Sequence, residues 1–227
     1  FYGTVKFIFQ PAEEGPPQGE KGGARLMVEE GVLENPKVDA IYGLHINSAT
    51  PVGQVRYKSK GIMAAAQRFV IDVQGKQAHG SQPWMSVDPI LISAKIIDGL
   101  QTIISRNSEL TKEGAVISVG SIHSGIRFNI IPDTARMVGT VRTLDENMKQ
   151  KIIKRMQEMV PQIAAAYGGT AEIDIFESAA LTYNDTTLTE TAVKSLKKAL
   201  GENQVVEMKA VTGAEDFSAF QEKVPGF

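Results

Sequence analysis

Between Gln67 and Gln74 the chain alternates: Phe69, Ile71 and Val73 fall on one face, with Arg68, Asp72 and Gln74 among the other residues. A period of two marks a strand with one buried and one wet face, the habit of antiparallel sheets. The stretches that follow restrict what this strand can join. Residues 86–106 place Ile92, Ile96, Leu100, Ile103 and Ile104 on one helical stripe, and residues 114–124 and 135–144 read as strands. Asp145 is positioned to cap a helix running to Tyr167, with Ile152, Met156, Met159 and Ile163 inward and Lys149, Lys154 and Glu158 outward. Gly168-Gly169 ends that helix, and residues 170–176 supply a fourth strand. The order β-α-β-β-α-β is the ferredoxin-like pattern, an antiparallel sheet with both helices on one face. Residues 64–178 are expected to form such an α+β domain, inserted into another whose parts are residues 1–63 and 179–227.

The surrounding segments have a different texture. Phe7-Ile8-Phe9 is a continuous apolar run, which predicts a strand buried on both faces. Pro11 stops it, having no N–H for a ladder, and Glu13-Glu14 follow at once. A short helix is expected over residues 21–32 with Gly31 at its C′ position, then a second strand over residues 37–44. Strand, helix and strand in this span make a βαβ unit with parallel strands, so the fold class is α/β. Parallel strands end on one edge of the sheet, which brings His45 to the edge that carries Glu13 and Glu14. Thr182–Asp185 reads as a crossing linker, residues 187–200 as a helix, and residues 205–208 as a short strand. Gly213-Ala214-Glu215-Asp216-Phe217 comes soon after that strand. The chain opens mid-strand at Phe1 and stops at Phe227 without a terminal element, so the sequence predicts an internal piece of a longer protein.

Composition excludes several functions. With 24 Lys and Arg against 26 Asp and Glu, a net charge of −2 gives no electrostatic case for nucleic acid or an anionic membrane as partner. No apolar run approaches the roughly 20 residues a bilayer requires, and no signal peptide is visible. The chain has no Cys, which removes disulfides and thiolate chemistry and fits a cytoplasmic protein.

The residues left for chemistry are few. Glu13-Glu14 alone could be a solvated acidic turn, but with His45 they form part of a donor set that a divalent ion accepts readily. One carboxylate would then ligate while the other takes a proton from the attacking water. His79, in the loop Gln77–Pro83, could donate a hydrogen bond to a developing oxyanion or simply fill a polar turn. Asn129 precedes a strand and Arg142 lies within one. Asn suits a carbonyl or amide and Arg a carboxylate, although each also has an ordinary structural use. Nothing in the sequence recruits His123.

In order, Phe9-Gln10-Pro11-Ala12-Glu13-Glu14-Gly15, Gly43-Leu44-His45, Ala78-His79-Gly80, Asn129-Ile130-Ile131-Pro132 and Gly213–Phe217 resemble peptidase family M20 along essentially the whole chain. The similarity is greatest to its amidohydrolase branch, with aminoacylases, hippurate hydrolases and indole-acetyl-amino-acid hydrolases. The resemblance implies a parallel-sheet metallohydrolase catalytic domain, here partial, carrying an inserted ferredoxin-like lid and dimerisation domain. It implies two divalent ions (zinc, manganese or cobalt), a small N-acyl amino acid substrate and a homodimer through the lid. It further implies Glu13 as general base, Glu14 and His45 as metal ligands and His79 as the lid histidine. Asn129 and Arg142 would hold the substrate, and Glu215 and Asp216 would shape the pocket without ligating. His45, where carboxypeptidases of the family usually have Asp, favours the amidohydrolase branch. The family's other Cys and His ligands would lie outside residues 1–227, leaving this piece inactive by itself. A dipeptidase or carboxypeptidase of the same family, or a non-catalytic dimerisation module, are the alternatives.

Overall fold

A computed structural model describes residues 3–17 and 19–227. Phe1 and Tyr2, where the expected opening strand begins, lie outside the described residues, as does Gln18. The chain divides into two compact units, Ala65–Ser178 and the combination of Phe1–Ala64 with Ala179–Phe227. In chain order the elements are α1 (Gly23–Glu29), β1 (Val55–Tyr57), β2 (Lys60–Met63), β3 (Ala65–Gln74), β4 (Ala78–His79), α2 (Pro89–Asn107), β5 (Ala115–Ser124) and β6 (Ile130–Ile131). They continue with β7 (Thr134–Thr143), α3 (Glu146–Ala166), β8 (Thr170–Ala179), β9 (Thr182–Asn184), α4 (Thr186–Leu200), β10 (Val205–Glu207) and α5 (Ser218–Gln221). No helix among the described residues is long and apolar enough to cross a membrane.

In Ala65–Ser178 a four-stranded sheet runs in the order β5-β7-β3-β8, with β7 antiparallel to both β3 and β5. The pleat sends alternate side chains to one side. Phe69, Ile71 and Val73 of β3 and Ala135, Met137 and Val141 of β7 there meet Ile92, Ile96, Leu100 and Ile103 of α2 and Ile152, Met156 and Val160 of α3. Each of the larger side chains contributes about 1.5–3 kcal/mol relative to exposure. Both helices start on aspartate caps: Asp88 accepts from the Ile90 and Leu91 N–H groups, and Asp145 from that of Met148. The opposite face is mixed, with Val70 buried on it among polar residues. Asp72 and Arg136 stand directly across the β3–β7 ladder and pair at 3.1 Å, and the Arg68 guanidinium lies 4.8 Å from the Phe176 ring centre.

Lys149, expected to point outward, is buried. Its side chain is 6% exposed, and Nζ sits 2.9 Å from Glu146 and 2.9 Å from Glu177 on β8. The stem covers the core while the ammonium reaches two carboxylates at the rim, a geometry helical periodicity cannot distinguish from a solvated lysine. Burial by itself lowers the Lys149 pKa, but the hydrogen bonds the ammonium donates to Glu146 and Glu177 outweigh it, and the group ends above its ordinary 10.5. The folded ammonium therefore stabilises the unit fully below pH 10.5, and this is lost as pH rises through the higher folded value. Lys149→Met is expected to cost about 1–2 kcal/mol in denaturant titrations at pH 7, because both glutamates remain partly solvated. The gap should narrow only above pH 10.5; an equal gap at every pH would show that packing of the stem, not charge, is what counts.

The other unit has short ladders. β1 pairs parallel with β10 and β2 antiparallel with β9, and single parallel bridges join Ile41 to Gly226 and Met63 to Val211. Ala24, Leu33, Ile41, Ala219 and Phe220 form its core, with Ile8, Met27, Val38 and Phe217 packed around them. The helix α1 closes with paired bonds from Val32 N to Met27 O and Gly31 N to Val28 O, the Schellman arrangement.

Three expectations fail here. Residues 7–9 form no strand, and Phe7 and Phe9 are 80% and 86% exposed while Ile8 alone reaches the core. A strand buried on both faces needs ladders on both sides, and the described residues offer this one none. Residues 37–44 likewise make only the Ile41–Gly226 bridge, with Leu44 86% exposed, so the predicted βαβ unit does not appear as two laddered strands. Conversely, Thr182–Asn184 is no linker: it is β9, with Thr182 and Asn184 buried and the Asn184 amide donating to Lys58 O at 2.9 Å.

Candidate active site

The stretch leading into Ala214–Phe217 is laid along the end of β2 by Val211 N to Ile62 O at 3.0 Å and Ala64 N to Gly213 O at 2.7 Å. Asp216 then fastens three pieces of chain. Its carboxylate accepts from the Gln10 amide and from the Ala24 N–H, both at 2.7 Å. Gly23 beside it has φ +72°, and the Asp216 oxygen occupies the place a Cβ would take, so only glycine fits there. The turn carrying Glu13 is in this way held against the start of α1.

Glu215, its side chain 11% exposed, places Oε2 2.8 Å from His45 Nδ1. Glu13 is half-buried beside it, and Glu13, Glu215 and Asp216 offer carboxylate oxygens within 4.8 Å of one another. Burial raises the Glu13 pKa above 4.5, and Glu215, through its charge and a hydrogen bond, raises it further, with smaller pushes from Glu14 and Asp216. Carboxylates in such contact must share a proton or a cation. A set of carboxylate oxygens with an imidazole beside it suits a divalent ion, so the residues fit a metal.

Glu14 differs from its neighbour. It is exposed on the turn and stands outside the group of three acids. The structure thus joins Glu13 and His45 through Glu215, whose part in the cluster the sequence reading missed. The signal was available: Glu215-Asp216 is a second acidic doublet in the sequence, like Glu13-Glu14.

In Ala65–Ser178, the short β4–β6 ladder sets His79 opposite Ile130, and Gly80 N donates to Asn129 O at 2.8 Å. His79 at the end of β4 and Asn129 in the turn just before β6 are therefore neighbours. His79 Nδ1 accepts from the Ser81 N–H at 3.2 Å and lies 2.7 Å from Ser81 Oγ. A backbone N–H can only donate, so Nδ1 is bare and the neutral ring carries its proton on Nε2. Arg142 does not join this pair. It lies opposite Ala66 and Val116, whereas β4 and β6 adjoin the Thr134 end of β7, about 26 Å away along the strand. His123 is exposed on β5, opposite Arg136.

The family described as Peptidase family M20/M25/M40 matches residues 1–227. Thermostable carboxypeptidase 2 of Saccharolobus solfataricus is 41% identical over 225 residues, covering 99% of this chain and 55% of that protein. N-acetylcysteine deacetylase of Bacillus subtilis is 40% identical, covering 99% of this chain and 57% of its own length. Among solved structures, a putative aminohydrolase from methicillin-resistant Staphylococcus aureus superposes with a TM-score of 0.84 at 33% identity, over 96% of this chain and 54% of that one. A dinuclear metal-binding peptidase from Bacillus subtilis gives a TM-score of 0.78 at 37% identity, over 97% and 53%. The chain spans about half the length of these relatives.

Proposed function

This chain belongs to peptidase family M20/M25/M40, and from that premise we propose that the full-length protein hydrolyses the amide bond of N-acyl amino acids with the help of two divalent metal ions. The observation that carries the reading is the cluster of Glu13, Glu215 and Asp216 with His45 bound to its edge, where the charge calls for a cation. Similarity to a dinuclear metal-binding peptidase and to an N-acetylcysteine deacetylase supports the metal count and the substrate class. When bound, divalent ions supply Lewis-acid activation of water and of the scissile carbonyl.

The chain's own residues then have separate tasks. Glu13 takes the proton of the attacking water and returns it to the leaving nitrogen. Glu14 and His45 would hold metal. His79 presents Nε2–H to the developing oxyanion, beside the Asn129 amide, which holds the substrate's carbonyl. Arg142, about 26 Å along β7 from that pair, is too far to hold the carboxylate of the same small substrate and takes no part in this set. The unit of residues 64–178 acts as a ferredoxin-like lid and as the contact surface of a homodimer, in which His79 serves the neighbouring subunit.

A second reading is favoured by one finding: thermostable carboxypeptidase 2 is as similar to the chain as the deacetylase is. The deciding experiment uses full-length protein stripped of metal and titrated with zinc, manganese or cobalt against N-acyl amino acids and free dipeptides. Activity should return with two metal equivalents and favour N-acyl amino acids. A preference for peptides would transfer the reading to the carboxypeptidases, and no metal-dependent turnover would leave a non-catalytic module. The 227 residues alone should be inactive, and appreciable turnover by them would overturn that part.

A further inference from the structure

We propose that Glu215 is a positioning residue: it holds the His45 ring with its proton on Nδ1 and so leaves Nε2 as the nitrogen free for metal. The inference rests on the reading of His45 as a ligand. At 2.8 Å, Glu215 Oε2 and Nδ1 share one hydrogen, and in the proposed arrangement Nδ1 donates it to the carboxylate oxygen. Neutral histidine in water prefers the opposite tautomer, with its proton on Nε2, so the contact reverses an intrinsic preference.

The carboxylate is itself well fixed. Its other oxygen lies 3.4 Å from the Phe217 N–H, and the Glu215 carbonyl accepts from Ser218 Oγ at 2.9 Å. The Phe217 ring also lies against the backbone of Gly43, where an added Cβ would come within 2.9 Å of it. Gly43 stands two residues before His45 and Phe217 two after Glu215, so this contact sets the register between the two segments. Held among the imidazole, the Phe217 N–H and the neighbouring Glu13 carboxyl, Glu215 is placed to orient a ligand. A carboxylate behind a ligating imidazole fixes its tautomer and raises its basicity, and losing such a partner typically lowers metal affinity about 10–100-fold.

The test uses metal-free full-length protein labelled with 15N-histidine at pH 8.5, with the His45 signal assigned by its loss in His45→Gln. The wild type should show His45 with Nδ1 protonated and Nε2 bare. Glu215→Leu should return the ring to the Nε2–H form and weaken zinc binding 10–100-fold with the number of bound ions unchanged. Glu215→Gln, whose carbonyl can still accept, should keep the tautomer and lose less affinity. Wild-type His45 in the Nε2–H form would overturn the proposal. So would a whole equivalent of metal lost in Glu215→Leu, which would make Glu215 a ligand. Unchanged zinc stoichiometry and affinity in His45→Gln would instead defeat the assignment of His45 as a ligand. If the Leu variant does not fold, the wild-type spectrum and the Gln variant still decide.

Discussion

Glu13→Gln in the full-length protein is expected to lower kcat about 10²–10⁴-fold while both metal ions stay bound. The amide keeps the size and hydrogen-bonding reach of the carboxylate and removes only its basicity, so a general base is lost and nothing else need move. Metal-free stability gives an independent check, because folding raises the Glu13 pKa above 4.5, first through burial and then through Glu215. A carboxyl raised in this way stabilises the fold below its unfolded value and loses that contribution as pH rises through the folded value. Metal-free wild type should therefore weaken as pH climbs from acid towards neutrality, and Glu13→Gln should be spared much of that loss. Thermal melts of both proteins at pH 4 and pH 7, beside steady-state turnover and metal analysis, cover the whole claim. Surviving turnover would remove Glu13 as the base. Loss of metal with loss of turnover would make it a ligand.

Wherever burial is settled between neighbours in sequence, the chain could be read directly. The apolar stripe of α2, the Asp145 cap and the buried row Phe69-Ile71-Val73 of β3 depend on short-range periodicity and on one side chain reaching its own helix, whereas the burial of Val70 on the face expected to be wet does not follow from alternation. Segments whose state is set by distant partners could not be read. Phe7-Ile8-Phe9 has the composition of a central strand, but composition cannot supply the ladder, and among the described residues no strand flanks it. Thr182–Asn184 shows the reverse, since polar residues become a buried strand when β2 and the Lys58 carbonyl take up their hydrogen bonds. At the candidate site the two acids of residues 13–14 were visible, but their different surroundings were not. Only the return of Glu215 and Asp216 from some 200 residues away separates the half-buried Glu13 from the exposed Glu14. Lys149 makes the same point, because what distinguishes it from Lys154 is Glu177 on another element.

Gly139→Ala is expected to destabilise the unit by about 3 kcal/mol or more, at the upper end of what overpacking costs. The sign is what makes the prediction sharp. Glycine inside a strand is intrinsically worse than alanine by roughly 0.5–1 kcal/mol, so propensity alone predicts stabilisation. Packing predicts the reverse. Gly139 lies at the centre of β7, opposite Phe69 on β3 and Val119 on β5. The fully buried Phe69 ring covers it, and both the ring edge and the Ser118 carbonyl oxygen occupy the space a Cβ would need. The ring could turn aside at the expense of its own packing, but the carbonyl belongs to the neighbouring strand and can yield only if the ladder shifts. Phe69→Leu should therefore rescue Gly139→Ala only in part: its own cavity cost shrinks in the alanine background, with a coupling of about 1 kcal/mol, and most of the loss remains. Urea titrations of the two single variants and the double variant measure all of these quantities. An alanine variant as stable as wild type would mean the strands do not approach as described, and full rescue by Phe69→Leu would assign the whole clash to the ring and none to the Ser118 carbonyl.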